Sequence, residues 1–278
     1  MKFADPKNDI AFKKIFGDEH QTEVLISFLN SILEFNDNKA IKSITIANPY
    51  QITKIEALKD TILDVKAINQ DNEEFIVEMQ VQRDIHFVKR SLYYSSKSYV
   101  NQIEFSDKYP ELKKVYFIGI LDFAIFDTSD YLSKHLILDE KTFKQEMQDF
   151  EFNFIELKKF KLQLSECNTL AKKWIYFIQN ANTFELIPKE FEDIDTFKTA
   201  FEIAKKYKWS KEELDVYDNI DMKKGSINSA LETAKLDGIE QGIEQEKFTI
   251  AKNLKQAGVT FEIIMQTTGF SLKEIENL

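Results

Sequence analysis

Two acidic side chains and an amide fall on one face of a predicted β-hairpin. Residues 75–82 read FIVEMQVQ, an alternation that places Glu78 and Gln80 on one face and apolar side chains on the other. Residues 61–68 read TILDVKAI, in which Asp64 and Lys66 share a face. The polar break NQDNEE between the two segments predicts a hairpin whose loop is longer than two residues.

The hydrophobic pattern predicts the register of this hairpin. If the turn centres on Asp71, Asp64 lies opposite Glu78 and the two side chains point to the same face. The apolar positions 63/65/67 and 75/77/79/81 then coincide as well. A slip of one residue would turn polar groups into the core, so the pattern supports this register independently.

Opposed carboxylates suggest a metal site. Like charges directly opposite each other cost up to about 1 kcal/mol at exposed positions, and a divalent cation between them would remove the repulsion. Mg²⁺, or Mn²⁺ in its place, suits one or two carboxylates completed by water and phosphate oxygens. Gln80 is placed to orient a water or contact a phosphate, and Lys66 to neutralise developing charge. The predicted chemistry is metal-assisted phosphodiester hydrolysis; the alternative is the ordinary polar face of a half-exposed hairpin.

A predicted helix follows the hairpin and carries the two arginines of the chain. Arg83, Arg90 and Lys97 are spaced by seven, which predicts one helical stripe over residues 83–103. Such a stripe can bind phosphates, Arg through its bidentate fork, and a solvated helix face is the alternative. Because the chain has 2 arginines against 35 lysines, we favour a functional role for Arg90 and leave Arg83 open. The predicted buried side of this helix consists of Phe87, Leu92, Tyr99, Val100 and Ile103.

Elements before and after the hairpin complete a mixed α/β pattern. Helical spacing over 9–35, with a break at Gly17, precedes strand-like alternation at 41–46 and 50–56. The apolar run 115–126 predicts a strand buried on both faces. We therefore predict a core domain over residues 1–126.

The remainder is predicted to be mostly helical. A helical extension covers 127–225, with helices at 140–149, 165–180, 196–207 and 211–218. Residues 226–257 contain the repeat GIEQGIEQ and predict a long polar linker or self-association helix. Residues 258–278 predict two short helices, with Gly269 ending the first and Ser271 and Glu274 forming a capping box for the second. This last pair is acidic, so we expect packing or oligomerisation rather than DNA binding.

Composition narrows the class of protein. The chain of 278 residues is 43% hydrophobic and 30% charged, typical of a globular protein. No segment reaches the roughly 18 apolar residues of a membrane span, and no secretory signal is visible. With Cys167 as the one cysteine, we expect a cytoplasmic protein. The net charge of −10 argues against nucleic acid, but residues 1–126 carry only −3 of it (16 basic against 19 acidic side chains).

Four segments in order resemble one nuclease family: DPKNDIAFKKIFG (5–17), ILDVKA (62–67), FIVEMQVQ (75–82) and KRSLYYSSKSY (89–99). The family is the PD-(D/E)xK nuclease family of transposases, known as recombination-promoting nucleases. The resemblance implies a restriction-endonuclease-like core, with a mixed sheet flanked by helices. It also implies Mg²⁺-dependent DNA endonuclease activity associated with DNA recombination.

The resemblance also implies roles for individual residues. Asp64 matches the metal-binding Asp of the family, and Glu78 matches the acidic residue of its E-x-Q element. Gln80 stands where the wider superfamily has lysine. Asp9 lies in the matching first-helix segment as an accessory acidic residue, or as an Asp beside the helix dipole. The rival interpretations are a catalytically inactive nuclease fold that binds nucleic acid or protein, and a protein that self-assembles through residues 226–257.

Overall fold

The computed structural model describes residues 3–51, 61–103 and 108–278. The strands within these ranges are β1 (Ile44–Ala47), β2 (Tyr50–Gln51), β3 (Thr61–Ile62), β4 (Val65–Asn69), β5 (Glu74–Gln80), β6 (Val115–Leu121), β7 (Leu132–Leu136) and β8 (Phe150–Glu156). The α-helices are α1 (Asp9–Phe16), α2 (Thr22–Leu33), α3 (Phe87–Val100), α4 (Leu170–Asn180), α5 (Lys189–Glu192), α6 (Asp195–Ile203), α7 (Lys211–Gln256), α8 (Phe261–Thr268) and α9 (Leu272–Glu276).

Six of the described strands form a mixed sheet in the order β1-β4-β5-β6-β8-β7. β1, β4 and β5 pair antiparallel, β5, β6 and β8 pair parallel, and β7 returns antiparallel to β8. β2 and β3 form a separate antiparallel pair. The crossover from β5 to β6 runs through α3. This mixed sheet with flanking helices confirms the predicted α/β class.

Alternation along β5 divides the core between the two faces of the sheet. Phe75, Val77 and Met79 belong to the larger core cluster, which includes residues of α1, α2, α4 and α6. Ile76 belongs to the second cluster, with Phe87 of α3. Both faces are therefore covered. On the polar face of the hairpin Glu78 is buried, whereas Asp64, Lys66 and Gln80 are partly exposed.

The buried side of α3 differs from the prediction. Phe87, Ser91, Ser95 and Ser98 are buried, whereas Leu92 and Val100 are half or more exposed. Small hydroxyl side chains let the helix backbone approach the sheet closely, which large apolar side chains would prevent. Hydrophobic periodicity could not find this face, because the residues that pack are polar.

Several other predicted boundaries were wrong. The predicted helix at 140–149 is absent from the described residues, and β7 and β8 instead continue the sheet beyond residue 126. The alternation in FEFNFIE (150–156) is typical of a strand, and the prediction of a helical extension over 127–225 is wrong for this segment. The strand predicted at 115–126 ends at Leu121, and of the strand predicted at 50–56 residues 52–56 lie outside the described residues.

Contacts divide the chain into two compact units, residues 1–218 and 219–278. The two helix predictions at 211–218 and 226–257 are parts of one helix, α7. In the second unit, Ala251 of α7 packs with Ile264 of α8 and Ile275 of α9. Gly269 ends α8 in the left-handed region with φ 76°, and Ser271 and Glu274 form the predicted capping box. Among the described residues, no helix is both long enough and apolar enough to cross a membrane.

Candidate active site

The hairpin of β4 and β5 has the predicted register. Val65 pairs with Val77 and Ala67 with Phe75, so Asp64, one residue before β4, comes beside Glu78. The Asp64 backbone N–H donates to Glu78 Oε1 at 3.1 Å, and the Met79 N–H donates to Asp64 Oδ2 at 2.9 Å. These two reciprocal bonds hold the carboxylates together at the end of the ladder.

The chain bends at Asp64, which corrects one part of the predicted face. Val65 packs in the larger core cluster, as expected, but Leu63 packs in the second cluster with Ile76 and Phe87. The bend interrupts the alternation of β4. It also turns the Asp64 side chain so that it accepts from the backbone of β5.

Burial dominates the electrostatics of the pair. Glu78 is 5% exposed, and this burial, followed by the charge of Asp64, raises its pKa to about 8. Burial also raises the pKa of Asp64, whose side chain is 16% exposed, against the lowering effect of the Met79 N–H and of Lys13. Two adjacent carboxylates that are costly to ionise are a common feature of functional sites.

Helix α1 brings a cation to the pair. Lys13 Nζ lies 3.4 Å from Asp64 Oδ1, and Asp9, one helical turn earlier, repels Asp64 and raises its pKa. The proposed accessory residue Asp9 therefore lies near the pair, although it is exposed. Sequence reasoning did not single out Lys13; its position four residues after Asp9 in FKK was the available signal.

Gln80 and Arg90 are joined in one network. Arg90 Nη1 donates to Gln80 Oε1 at 3.4 Å and to Asp84 Oδ2 at 2.8 Å, and Gln80 Nε2 donates to the Gln82 carbonyl at 3.0 Å. The guanidinium also lies 5.4 Å from the centroid of the Tyr94 ring. Arg90 of α3 is thus joined to the end of β5 through Gln80. Its positive charge also lowers the pKa of Glu78.

The predicted helical stripe of three cations is wrong, because only two of the three residues lie on the helix. Arg83 lies in the turn before α3, which begins at Phe87, so it cannot share a helical face with Arg90 and Lys97. Its side chain is exposed, whereas Lys97 is half-buried. The heptad spacing was correct, but the helix begins later than predicted.

Lys66 is directed away from the carboxylate pair. It lies on the α3 face of β4, but its Nζ pairs with Glu74 Oε2 at 3.0 Å, and Ser98 of α3 also donates to this carboxylate. Glu74 is four residues before Glu78, which is roughly 13 Å along a strand. The structure does not bring Lys66 to the predicted position beside Asp64 and Glu78.

Asp122 was missed by the sequence analysis. It directly follows β6, and its N–H donates to the Gln80 carbonyl at 2.9 Å, so it lies at the same edge of the sheet as the pair. Its carboxylate lies 3.9 Å from Lys7 Nζ and 3.4 Å from Lys158 Nζ. An Asp that ends a buried parallel strand was the signal, because the carboxyl ends of parallel strands meet at one edge.

The carboxylate pair fits a hard divalent cation. Buried oxygen donors whose mutual repulsion raises a pKa gain from a cation placed between them. The described residues contain no group of three or more His, Cys, Asp and Glu side chains arranged to hold a metal. Asp64 and Glu78 are the residues that would hold such an ion, and two carboxylates suit Mg²⁺ when water and phosphate complete its shell.

The mixed sheet, the α3 crossover and two acidic residues joined across a hairpin are consistent with an α/β protein of the PD-(D/E)xK nuclease class. A family model described as PD-(D/E)XK nuclease family transposase matches residues 6–234, and the chain belongs to this family. No curated protein and no solved structure matches the chain in the parallel comparisons. The match confirms the predicted family and includes all the candidate site residues.

Proposed function

We propose that this protein is a metal-dependent DNA endonuclease that hydrolyses phosphodiester bonds. One observation carries the proposal: Asp64 and Glu78, from opposite strands of the hairpin, are held side by side in a largely buried site. Burying two adjacent acids is unfavourable for folding, so their presence is better explained by a ligand than by stability. Membership of a nuclease family supports a divalent cation as that ligand and a nucleic acid as the substrate.

The residues of the chain have distinct parts in this proposal. Asp64 and Glu78 would hold the ion, Mg²⁺ or Mn²⁺, which when bound polarises a phosphoryl oxygen and lowers the pKa of water. Gln80 orients the attacking water through its amide, and Arg90 fixes the position of Gln80. Asp9 adds negative charge from α1 at the rim of the site.

Plasmid cleavage tests the proposal. Supercoiled DNA is incubated with Mg²⁺ or Mn²⁺ and with wild type, Asp64→Ala, Glu78→Ala or Asp71→Ala. Asp71 lies exposed in the turn of the same hairpin, so Asp71→Ala is the matched control. We expect cleavage by wild type and Asp71→Ala, and loss of cleavage in both site variants and with EDTA. Equal cleavage by folded Asp64→Ala and wild type would contradict the assignment.

An inactive nuclease fold that binds nucleic acid or protein is the second candidate. The observation that favours it is Gln80, a neutral residue whose amide is already bonded to Arg90 and Gln82. Metal titration distinguishes the two candidates: an active enzyme binds Mn²⁺ through Asp64 and Glu78, and a silent module that has lost the site does not.

We also propose a division of labour along the chain. Residues 1–126 carry the proposed site, and residues 127–225 extend the core. Residues 226–257 form a linker or self-association helix, and residues 258–278 form a short two-helix terminal motif. A DNA substrate and a role in recombination imply a cytoplasmic location. Self-association through α7 is proposed because Leu236, Ile239, Ile243 and Ile250 are 39–62% exposed along that helix.

A further inference from the structure

The residue at position 80, at the end of β5, is a glutamine and gives the proposed site no positive charge. Gln80 is neutral, and its amide bonds Arg90 and the Gln82 carbonyl. Phosphodiester hydrolysis develops negative charge on the phosphoryl oxygens, and a preorganised positive charge stabilises it. The described cations nearby are therefore of interest as sources of that charge.

Most of the neighbouring cations are already held by carboxylates outside the pair. Lys66 pairs with Glu74 and its side chain is 13% exposed. Arg90 bonds Asp84 at 2.8 Å. Lys7 and Lys158 both contact Asp122. None of these ion pairs includes Asp64 or Glu78.

Lys13 differs in partner, distance and exposure. Its Nζ lies 3.4 Å from Asp64 Oδ1, longer than the roughly 2.7–2.9 Å of a tight charge-assisted hydrogen bond. The side chain is 44% exposed, so the ammonium group can be reached by a ligand. Among the described ion pairs, this is the one that brings a cation to the carboxylate pair.

The backbone that carries Lys13 is fixed, whereas its side chain is long. Helix α1 is capped by Asn8, whose Oδ1 accepts from the Ile10 N–H at 3.1 Å. Phe12, Ile15 and Phe16 are buried in the larger core cluster. The helix therefore aims Lys13 at the site, and the four-carbon side chain supplies the reach of a mobile point charge.

We propose that Lys13 supplies, from α1, the phosphate-binding positive charge that Gln80 does not supply from β5. This inference rests on the proposed nuclease function. In the reaction, a P–O bond forms to water, the P–O ester bond breaks, and its electron pair leaves with the alkoxide oxygen. Water loses a proton and the alkoxide gains one. Lys13 takes no part in this proton transfer and contacts the phosphoryl oxygens as their charge grows.

The test compares Lys13→Met with Lys13→Arg and with Lys14→Met. Lys14 is on the same helix but pairs with Glu213, so Lys14→Met removes an equal charge outside the site. Single-turnover cleavage is measured with Mn²⁺ and with enzyme in saturating excess over the DNA. We expect Lys13→Met to lose about 10²-fold in rate, the usual cost of removing one transition-state contact, and Lys13→Arg to recover at least about a tenth of the wild-type rate. Lys14→Met should cleave like wild type.

A second readout separates a phosphate contact from a structural role. Mn²⁺ affinity, measured by electron paramagnetic resonance without DNA, should be unchanged or higher in Lys13→Met, because a cation beside the site has been removed. Mn²⁺ binding weakened as much as cleavage would mean that Lys13 only holds Asp64, and would overturn the inference. An active wild type with an equally active Lys13→Met overturns this inference alone. A folded wild type that never cleaves overturns the nuclease function and this inference with it.

Discussion

Glu78 shows at the residue scale how the proposed function competes with stability. Glu78 is 5% exposed and lies next to Asp64. A hydrophobic side chain would be cheaper to bury here, but it could not bind a metal ion. Burial and the neighbouring charge keep the proton on Glu78 to about pH 8, whereas its ordinary pKa is 4.5. The pair is therefore expected to lose its proton readily only when a cation is present.

The pH dependence of stability follows from this difference. Because the folded protein keeps a proton that the unfolded chain releases above pH 4.5, the free energy of unfolding falls as pH rises through the window from about 5 to 8. Each unit of pKa difference is worth about 1.4 kcal/mol. Chemical denaturation in EDTA should show this slope in wild type and a flatter one in Glu78→Gln. The exposed control Glu185→Gln should keep the wild-type slope, and parallel slopes in all three proteins would refute the prediction.

The two arginines offer a matched comparison. Arg90→Lys keeps the charge but loses the planar guanidinium, whose Nη1 donates to both Asp84 and Gln80 and whose Nε donates to the Tyr94 hydroxyl, so we expect the cleavage rate to fall by about tenfold, the scale of one lost hydrogen bond to a charged group. Arg83→Lys changes an exposed turn and should cleave like wild type. Initial rates at saturating DNA give the comparison. If both variants lose the same factor, Arg90 has no special positioning role.

Helix α3 illustrates, at the element scale, a packing face made of serines. Ser98 donates to Glu74, which pairs with Lys66 beneath the helix. Ser95 Oγ is buried and has no hydrogen-bond partner among the described residues. The two serines occupy the same face of one helix, so they make a controlled pair for measuring what a buried hydroxyl contributes.

Opposite stability changes are expected from these serines. Ser95→Ala removes an unsatisfied buried hydroxyl and should raise the free energy of unfolding by about 1 kcal/mol. Ser98→Ala takes a donor from a buried carboxylate and should lower it by about 1–3 kcal/mol. Urea unfolding of the two variants measures both. A destabilised Ser95→Ala would show that its hydroxyl has a partner after all.

Strand β6 passes close beneath α3 at Gly119. A Cβ there would lie 2.9 Å from Phe87 Cε1 and 3.0 Å from Phe154 Cδ1. Gly119→Ala should therefore cost about 1–3 kcal/mol of overpacking. Gly225→Ala, in the interior of α7 with open space around it, should instead stabilise that helix by up to about 1 kcal/mol. Thermal unfolding distinguishes them, and a neutral Gly119→Ala would mean that α3 shifts easily.

The whole molecule contains two units of different character. Residues 1–218 enclose both large core clusters, whereas residues 219–278 comprise most of α7 with α8 and α9 around a small core. Exposed apolar side chains recur along α7, which a monomer would leave in water. Self-association is thus a property proposed for the second unit, and catalysis for the first.

Mass measurement tests that division. The full chain should have the molar mass of an oligomer of 32.6 kDa subunits. The double variant Ile239→Lys/Ile243→Lys should have the mass of one subunit. Each charge would be placed on an apolar seam, where it disfavours burial. Gln241→Lys with Gln245→Lys, at exposed positions of the same helix, adds the same charge and is the control. Light scattering on all three proteins gives the answer; a monomeric wild type would remove α7 as the association element.

The sequence alone determined the register of the hairpin, the pairing of Asp64 with Glu78, and the capping of the terminal helices. These features depend on local alternation and on hydrogen bonds between near neighbours, which the order of residues encodes directly. The same local reasoning found α1, α2 and β6. It failed at α3, where the buried face is polar, and at 140–156, where strand-like residues lay in a region assigned to helices.

Tertiary structure alone decided which charges meet. Lys66, two residues from Asp64, pairs with Glu74 instead, while Lys13 reaches Asp64 from a separate helix 51 positions away. Asp122 arrives at the same sheet edge because β5 and β6 run parallel. Which ion pairs form depends on how helices and strands pack, because charged side chains interact through space and not along the chain. The acidic half of the proposed site is therefore readable from the sequence, and its cationic half is not.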